Sequence, residues 1–259
     1  MDAHLSASSG APLDPPDRPD RPVDKLGPLL EHPAIWRGRS VARVDAIPTG
    51  FASLDQALPG CGWPRAGLIE ILVSRLGVGE LYLLLPVLAT LTNRPSARWC
   101  AWISPPFEPF APALTAHGVA LEHVFITRGD SPLWAFEQSL RSGACDAVLG
   151  WAGKNSGVRA PASRRIVRAS RSKAKARELR SRDIRRLQLA AEKGRALGVL
   201  FRPRQAASEA SSAVLRMVVE PAKQGARVTL LKSRGGHRGS IDLKWPVTCS
   251  PSPQAHGSL

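Results

Sequence analysis

The 259-residue chain has few cysteines and no long apolar run. Its four cysteines, Cys61, Cys100, Cys145 and Cys249, show no C-x-x-C pairing and no histidine at metal-ligand spacing, so the sequence predicts no zinc site. The most apolar stretch, residues 81–91, is too short to cross a membrane, and the N-terminus lacks the features of a secretory signal. We expect a cytoplasmic protein without a membrane partner, a metal or a cofactor.

The segment between Leu68 and Leu91 also contains no lysine, although its order resembles a phosphate-binding element. An apolar strand at residues 68–73 precedes a glycine-containing turn and an apolar, helix-like stretch. A P-loop requires a lysine for the β- and γ-phosphates and a hydroxyl for magnesium. The corresponding positions here are Ser74 at the first loop glycine, Gly77 and Gly79 in the turn, Glu80 for the lysine and Leu81 for the hydroxyl.

A carboxylate at position 80 would repel a triphosphate, so this degenerate nucleotide loop predicts that ATPase activity is lost. Sliding the alignment by a residue does not restore the motif, because no lysine is available. A plain turn before a core helix is favoured over nucleotide binding.

Three segments resemble RecA-type proteins. Residues 47–71, with their Thr-Gly and Gly-Trp-Pro turns, resemble the segment that leads into the first core strand of that group. Residues 99–104 resemble the second core strand, but Ser104 and Pro106 stand where that group has an acidic pair. Residues 141–151 resemble the third strand, but Trp151 stands at the position of the magnesium-supporting aspartate. The resemblance therefore implies a RecA-like pseudo-ATPase.

Two acidic residues lie close to the substituted positions. Glu108 follows Pro106 by two residues and is interpreted as a solvated loop carboxylate rather than a catalytic base. Asp146 precedes the predicted third strand and is interpreted as a turn or cap residue rather than a metal ligand.

The chain has a closer resemblance to the bacterial ImuA proteins. It rests on residues 32–39 (HPAIWRGR), 62–64 (GWP), 78–81 (VGEL), 187–192 (LQLAAE) and 200–203 (LFRP). This resemblance implies a non-catalytic accessory role in error-prone translesion DNA synthesis during the SOS response to DNA damage. It also implies three partners: an ImuB-type, Y-family-like polymerase homologue, an error-prone replicative-type DNA polymerase subunit, and DNA.

The same resemblance implies relatedness to SulA-type cell-division inhibitors, which gives a second hypothesis: binding of the tubulin-like division protein. A third hypothesis is a DNA-dependent RecA-like ATPase with an altered pocket. The missing P-loop lysine argues against this third hypothesis.

Positive charge is concentrated in one fifth of the chain. Residues 151–204 hold seventeen Lys and Arg against three acidic residues, which accounts for fourteen of the fifteen net positive charges. Residues 173–197 are rich in helix formers, and Leu179, Ile184, Leu187 and Ala191 approximate one apolar face. The segment therefore predicts a helix with a basic outer surface.

The basic segment is a candidate DNA-binding site, whose contacts would be sequence-independent and salt-sensitive. No aromatic residue occurs between Trp151 and Phe201, so the segment offers no base stacking. An acidic protein partner and a solvated linker remain alternatives. The candidate residues are Arg164, Arg165, Arg168, Arg171, Lys173, Lys175, Arg177, Arg180, Arg182, Arg185 and Arg186.

The chain organisation predicted from composition is a Pro/Asp-rich disordered leader at residues 1–28, one domain at 29–248 with a basic insertion around 154–182, and a disordered tail at 249–259. Residues 214–220 and 226–232, separated by Pro221 and Gly225, predict an antiparallel hairpin. The predicted fold is α/β, with a RecA-like, mostly parallel sheet flanked by helices and this C-terminal hairpin.

Overall fold

The computed structural model describes residues 45–152, 179–233 and 238–245. The predicted leader, the tail and most of the basic insertion lie outside these residues, so the domain boundaries stay predictions.

The centre of the described fold is an eight-stranded sheet with the strand order β10-β9-β8-β3-β7-β6-β4-β5. A separate two-stranded ribbon, β1-β2, precedes it. The strands are β1 Ala46–Ile47, β2 Trp63–Pro64, β3 Gly67–Val73, β4 Trp99–Ile103, β5 Val124–Thr127, β6 Cys145–Trp151, β7 Leu197–Pro203, β8 Leu215–Ala222, β9 Gly225–Ser233 and β10 Gly239–Lys244.

Six of the eight strands form the parallel part of the sheet. Strand β3 pairs in parallel with β7 on one side and β8 on the other, with Ile69 opposite Val199 and Leu215. Strands β7, β6, β4 and β5 continue in parallel. Every residue of β3 and β6 is buried, as expected for parallel strands covered on both faces.

The predicted C-terminal hairpin is confirmed. Strands β8 and β9 pair antiparallel, with Glu220 opposite Arg227, and β10 adds a further antiparallel strand beside β9. The mixed sheet, mostly parallel with antiparallel strands at one edge, agrees with the predicted fold class.

Helices cover both faces of the sheet. Leu54, Leu88 and Leu114 pack on one face with Ile69 and Ile71. Phe136, Leu140, Ile184 and Leu187 pack on the other with Leu68 and Val148. The helices that carry them are α1 Ala52–Ala57, α2 Leu85–Thr92, α3 Ala111–Ala116, α4 Pro132–Arg141 and α5 Ser181–Gly194.

Helix α5 confirms the described part of the predicted basic helix. Ile184, Leu187 and Ala191 are buried and Leu179 is half-buried, so the predicted apolar face packs on the sheet. Asp183 caps the first turn, because its Oδ2 accepts a hydrogen bond of 3.0 Å from the Arg180 N–H.

The segment after β7 packs partly on the sheet. Residues Arg204–Ser208 form a 3-10 turn, and Ala206 is buried against Leu72 and Val218. The segment covers one end of β3 where no helix lies, and its small residues permit this close packing.

The carboxyl ends of β3, β7, β6, β4 and β5 all meet at one edge of the sheet, since these strands run in parallel. The predicted nucleotide loop follows β3 at this edge, and Ser104 and Trp151 lie at the ends of β4 and β6. The fold therefore brings the three substituted RecA-type positions to the same edge.

Candidate functional site

The loop that follows β3 leads through a 3-10 turn at Tyr82–Leu84 into helix α2. Ser74 and Gly77 are exposed, whereas Leu81 is half-buried. The order of strand, loop and helix matches the predicted order, although the α-helix itself begins only at Leu85.

The Glu80 carboxylate is folded back into this loop. The Gly77 N–H donates to its Oε1 at 2.8 Å, and the Val78 N–H donates to its Oε2 at 2.8 Å. Glu80 is buried, with 4% of its surface exposed. Successive loop N–H groups are the donors that hold a phosphate in a P-loop. Here the Glu80 carboxylate accepts hydrogen bonds from two such groups.

An aromatic cluster packs against the same loop. Gly79 has φ +97, and a Cβ at this position would lie 2.8 Å from Cζ2 of Trp245. The Trp245 ring contacts Tyr82 and Phe51, with centroid distances of 4.7 Å and 5.6 Å, and Tyr82 also contacts His117 at 5.0 Å. Both the backbone conformation and the close approach of Trp245 therefore require glycine at position 79.

The other substituted positions contain packed side chains. Pro106 is buried, and Trp151 stacks on Phe201 with a centroid distance of 5.0 Å and an interplanar angle of 19°. Trp102 lies 6.0 Å from Trp151. An indole occupies the position at which the RecA-type resemblance implies an aspartate.

Glu108 is an exposed loop carboxylate, as the sequence predicts. It accepts a 2.6 Å hydrogen bond from Nη2 of Arg128, which links the loops that follow β4 and β5. The Glu108 side chain is 75% exposed, so this ion pair adds little to stability.

The interpretation of Asp146 as a turn or cap residue is wrong. Asp146 is the second residue of β6 and is buried. Its carboxylate accepts hydrogen bonds from the Arg98 N–H at 2.8 Å and the Arg98 Nε at 2.9 Å, and it pairs with Arg94. Burial would raise the pKa of Asp146, but the hydrogen bonds from Arg94 and Arg98 outweigh it and hold the pKa below its usual value.

Arg98 extends this ion pair to helix α5. Its guanidinium donates to the carbonyl oxygens of Gly143 at 2.7 Å, Gly194 at 3.2 Å and Arg195 at 2.8 Å. These bonds satisfy carbonyls at the C-terminus of α5, where a cation is favoured. The Asp146 cluster thus joins β4, β6 and α5 and has a structural role.

Sequence analysis did not identify a buried ionic network on the α5 face of the sheet. Glu70 of β3 is fully buried and accepts from Arg202 Nη1 of β7 at 2.8 Å and from Arg216 Nε of β8 at 2.5 Å. Arg202 Nη2 also donates to Glu209 at 2.7 Å. The available signal was a charged residue, Glu70, Arg202 or Arg216, inside each of three mainly apolar strands.

The network holds the segment after β7 in place. Arg216 donates to the carbonyl oxygens of Glu209 at 2.9 Å and Ala206 at 2.7 Å. Burial would lower the pKa of Arg202, but its hydrogen bonds to Glu209 and Glu70 raise it, so the guanidinium stays charged. Glu209 is therefore part of a structural network.

Among the described residues, no group of three or more His, Cys, Asp or Glu side chains could hold a metal ion. Cys100 and Cys145 are buried free thiols, and Cys61 is exposed. Burial, with a smaller effect of Asp146, raises the pKa of Cys100 to about 12, so its thiol stays protonated. In the described part of the chain, no helix is long and apolar enough to cross a membrane.

The described part of the basic segment lies on helix α5. Arg180, Arg182, Arg185 and Arg186 are all exposed, and Arg186 Nη2 donates to Glu137 Oε2 of helix α4 at 2.5 Å. The remaining candidate DNA-binding residues lie outside the described residues: Arg164, Arg165, Arg168, Arg171, Lys173, Lys175 and Arg177.

Comparison with known proteins relates the chain to cell-division inhibitors. No protein-family profile matches it. The cell division inhibitor SulA of Photorhabdus laumondii is 31% identical over 137 residues, which cover 52% of this chain and 63% of that protein. SulA of Edwardsiella piscicida is 38% identical over 95 residues, which cover 34% of this chain and 54% of that protein. The matches thus span less than two thirds of either relative.

A crystal structure of SulA from Pseudomonas aeruginosa is also similar, at 20% identity and a TM-score of 0.34, over 52% of this chain and 97% of that one. Fold and loop together define an α/β protein in which the Glu80 side chain fills the loop after β3. The sequence matches relate this protein to SulA.

The interpretation of the chain as an accessory protein of translesion DNA synthesis is wrong. The relatives that match are named cell division inhibitors, which agrees with the second hypothesis from the sequence. The motifs quoted for the ImuA resemblance are short, whereas the SulA match extends over 137 residues. The ImuA assignment itself is not confirmed.

Proposed function

We propose that this protein inhibits cell division in the manner of SulA-type proteins, by binding the tubulin-like division protein. The observation that carries the proposal is sequence relatedness to two proteins named cell division inhibitor SulA. We further propose that it acts during the SOS response to DNA damage, and that its sheet is RecA-like.

The geometry of the loop after β3 supports inhibition by binding rather than by catalysis. Glu80 accepts both loop N–H groups, so a nucleotide phosphate would have to displace a buried, hydrogen-bonded carboxylate of the same charge. Trp245 also packs against Gly79 of this loop. We therefore propose an inhibitor that acts without ATP.

The DNA and polymerase partners implied by the ImuA resemblance stay predictions, as does that narrower resemblance. Four described arginines of the candidate DNA-binding segment are exposed on α5, and exposed arginines suit an acidic protein as well as DNA.

Controlled expression in a dividing bacterium tests the proposed function. We expect cells to elongate without septa while DNA synthesis continues, because division alone is inhibited. The control is the same plasmid with a frameshift in the coding sequence. Cells of normal length at a confirmed level of intact protein would contradict the proposal.

A further inference from the structure

Helices α4 and α5 carry two exposed stripes at helical spacing on their outer sides. Trp134, Gln138 and Arg141 form the stripe on α4, and Arg182, Arg185, Leu189 and Lys193 form the stripe on α5. We call these seven residues the α4–α5 surface. Residues three and four apart share one face of a helix, so each stripe is continuous.

The two helices pack on each other, which places the stripes on neighbouring elements. Arg186 of α5 pairs with Glu137 of α4, and Phe136 and Leu140 share an apolar cluster with Leu187. Both helices also begin at the carboxyl edge of the parallel strands, because each leads into one of those strands.

Two large apolar side chains of this surface are left in solvent. Trp134 is 63% exposed and Leu189 is 53% exposed. Both helices already bury an apolar face against the sheet through other residues. Neither side chain is therefore needed to cover the core, whereas both could anchor a partner.

The polar part of the surface is mainly positive. Arg141, Arg185 and Lys193 are exposed and form no ion pair with a described carboxylate. The nearby acids are already engaged: Glu137 pairs with Arg186, and Glu192 accepts a 2.8 Å hydrogen bond from Gln188. The surface thus combines uncompensated cations with apolar side chains.

We propose that the α4–α5 surface is the docking site for an acidic segment of the division protein that carries apolar side chains. This inference rests on the proposed function, since it names the surface and the contact chemistry for that partner. Positive charge is complementary to acidic side chains and steers association. An exposed leucine within a basic stripe favours a protein over DNA, because a phosphate backbone offers no apolar group to cover it.

The first variant is Leu189→Glu in the full chain, measured by titration against the purified division protein. We expect affinity to fall at least about tenfold, the scale of a lost interface anchor. The new carboxylate would lie one turn from Arg185 and Lys193, which favours the helix. Lost binding therefore cannot be explained by lost folding, and circular dichroism checks this.

The second and third variants are Trp134→Ala and the double variant Arg182→Glu/Arg185→Glu. Each should lower affinity, and the double variant should also reduce the dependence of binding on salt. Matched controls are Phe110→Glu, at an apolar residue that is 69% exposed in another loop, and Lys223→Glu, at an exposed cation between β8 and β9. Both controls should bind like the unchanged protein.

The outcomes separate this inference from the proposed function. If the unchanged protein does not bind the division protein, both fail. If it binds and Leu189→Glu binds equally well, only the docking surface is overturned. The surface is also overturned if the charge reversals weaken only binding to a single-stranded oligonucleotide, because the surface would then be a nucleic-acid site.

Discussion

The loop after β3 and the α4–α5 surface differ in the exposure of their polar and apolar side chains. In the loop, the buried Glu80 carboxylate accepts hydrogen bonds from two backbone N–H groups, and the Trp245 indole packs against Gly79. On the surface, Trp134 and Leu189 stay exposed beside Arg185 and Lys193, which pair with no carboxylate among the described residues. The region that resembles an enzyme site is closed by the chain itself, whereas the open region has the composition of a binding surface. This difference supports the proposal that the protein acts by binding a partner.

The buried Glu70 network should be the most sensitive part of the closed interior. Glu70→Ala leaves Arg202 and Arg216 buried without their shared carboxylate, and we expect a loss of about 3–5 kcal/mol in the free energy of unfolding. Urea unfolding measures it. The control Glu220→Ala removes an exposed ion pair with Arg204 and should cost no more than about 1 kcal/mol. Similar losses in both variants would mean that the buried network is not special.

Two glycines of the loop provide a matched pair. Gly79→Ala meets both a positive φ and the ring of Trp245, whereas Gly77→Ala, at φ +82, has nothing within 4 Å of its new Cβ. We expect losses of about 2–4 kcal/mol and about 1 kcal/mol, respectively. Thermal unfolding compares them. Equal losses would show that Trp245 does not close the loop.

The Asp146 cluster should give a pH-dependent contribution. Because the pKa of Asp146 lies below its usual value, its charged form stabilises the fold at neutral pH, and this stability disappears as pH falls through the folded-state pKa. Asp146→Asn should cost about 2 kcal/mol at pH 7, and its difference from the unchanged protein should shrink below about pH 4. A difference that stays constant down to about pH 2.5, where an ordinary aspartate is mostly protonated, would contradict the ion-pair account.

Removal of the Glu80 carboxylate should open the closed loop at a modest cost. Glu80→Ala frees the N–H groups of Gly77 and Val78, with an expected loss of about 1–2 kcal/mol. Inorganic phosphate should then raise the melting temperature of this variant but not of the unchanged protein. Glu80→Gln, which keeps one acceptor oxygen, should show a rise in melting temperature between those of Glu80→Ala and the unchanged protein. An equal response to phosphate in all three would show that Glu80 does not block the loop.

The open surface should contribute least to stability. Leu189→Glu should change the free energy of unfolding by less than about 0.5 kcal/mol, since the residue is mostly exposed and packs on no core element. Chemical unfolding beside the Glu70→Ala variant tests this contrast. A loss above about 1 kcal/mol would assign Leu189 to the core and remove it as a docking anchor.

Local patterns were sufficient to predict three core strands, β3, β4 and β6, as well as the C-terminal hairpin and the apolar face of α5. Alternation, turn residues and helical spacing act over a few residues, so a sequence displays them directly. Contacts across long separations were not predictable in this way. Glu70 is 132 residues from Arg202 and 146 from Arg216 along the chain. Trp245 and Gly79 are likewise far apart in sequence, and folding brings them into contact.

The loop itself was only partly predicted. The sequence showed that Glu80 replaces a lysine and implied repulsion of phosphate. It did not show that the Glu80 side chain folds back and accepts hydrogen bonds from the N–H groups of Val78 and Gly77, two and three residues earlier. Function was not predictable from the short motifs at residues 62–64 and 78–81, because each spans only three or four residues, whereas the match to SulA extends over 137 residues.

The most direct test of the account is sedimentation of polymers of the purified division protein with increasing amounts of this protein, with and without ATP. The account predicts that polymer mass falls in proportion to the added protein, equally in both conditions, because inhibition proceeds by binding and uses no nucleotide. Polymer mass that is unchanged at a molar excess, or that falls only when ATP is present, would contradict it.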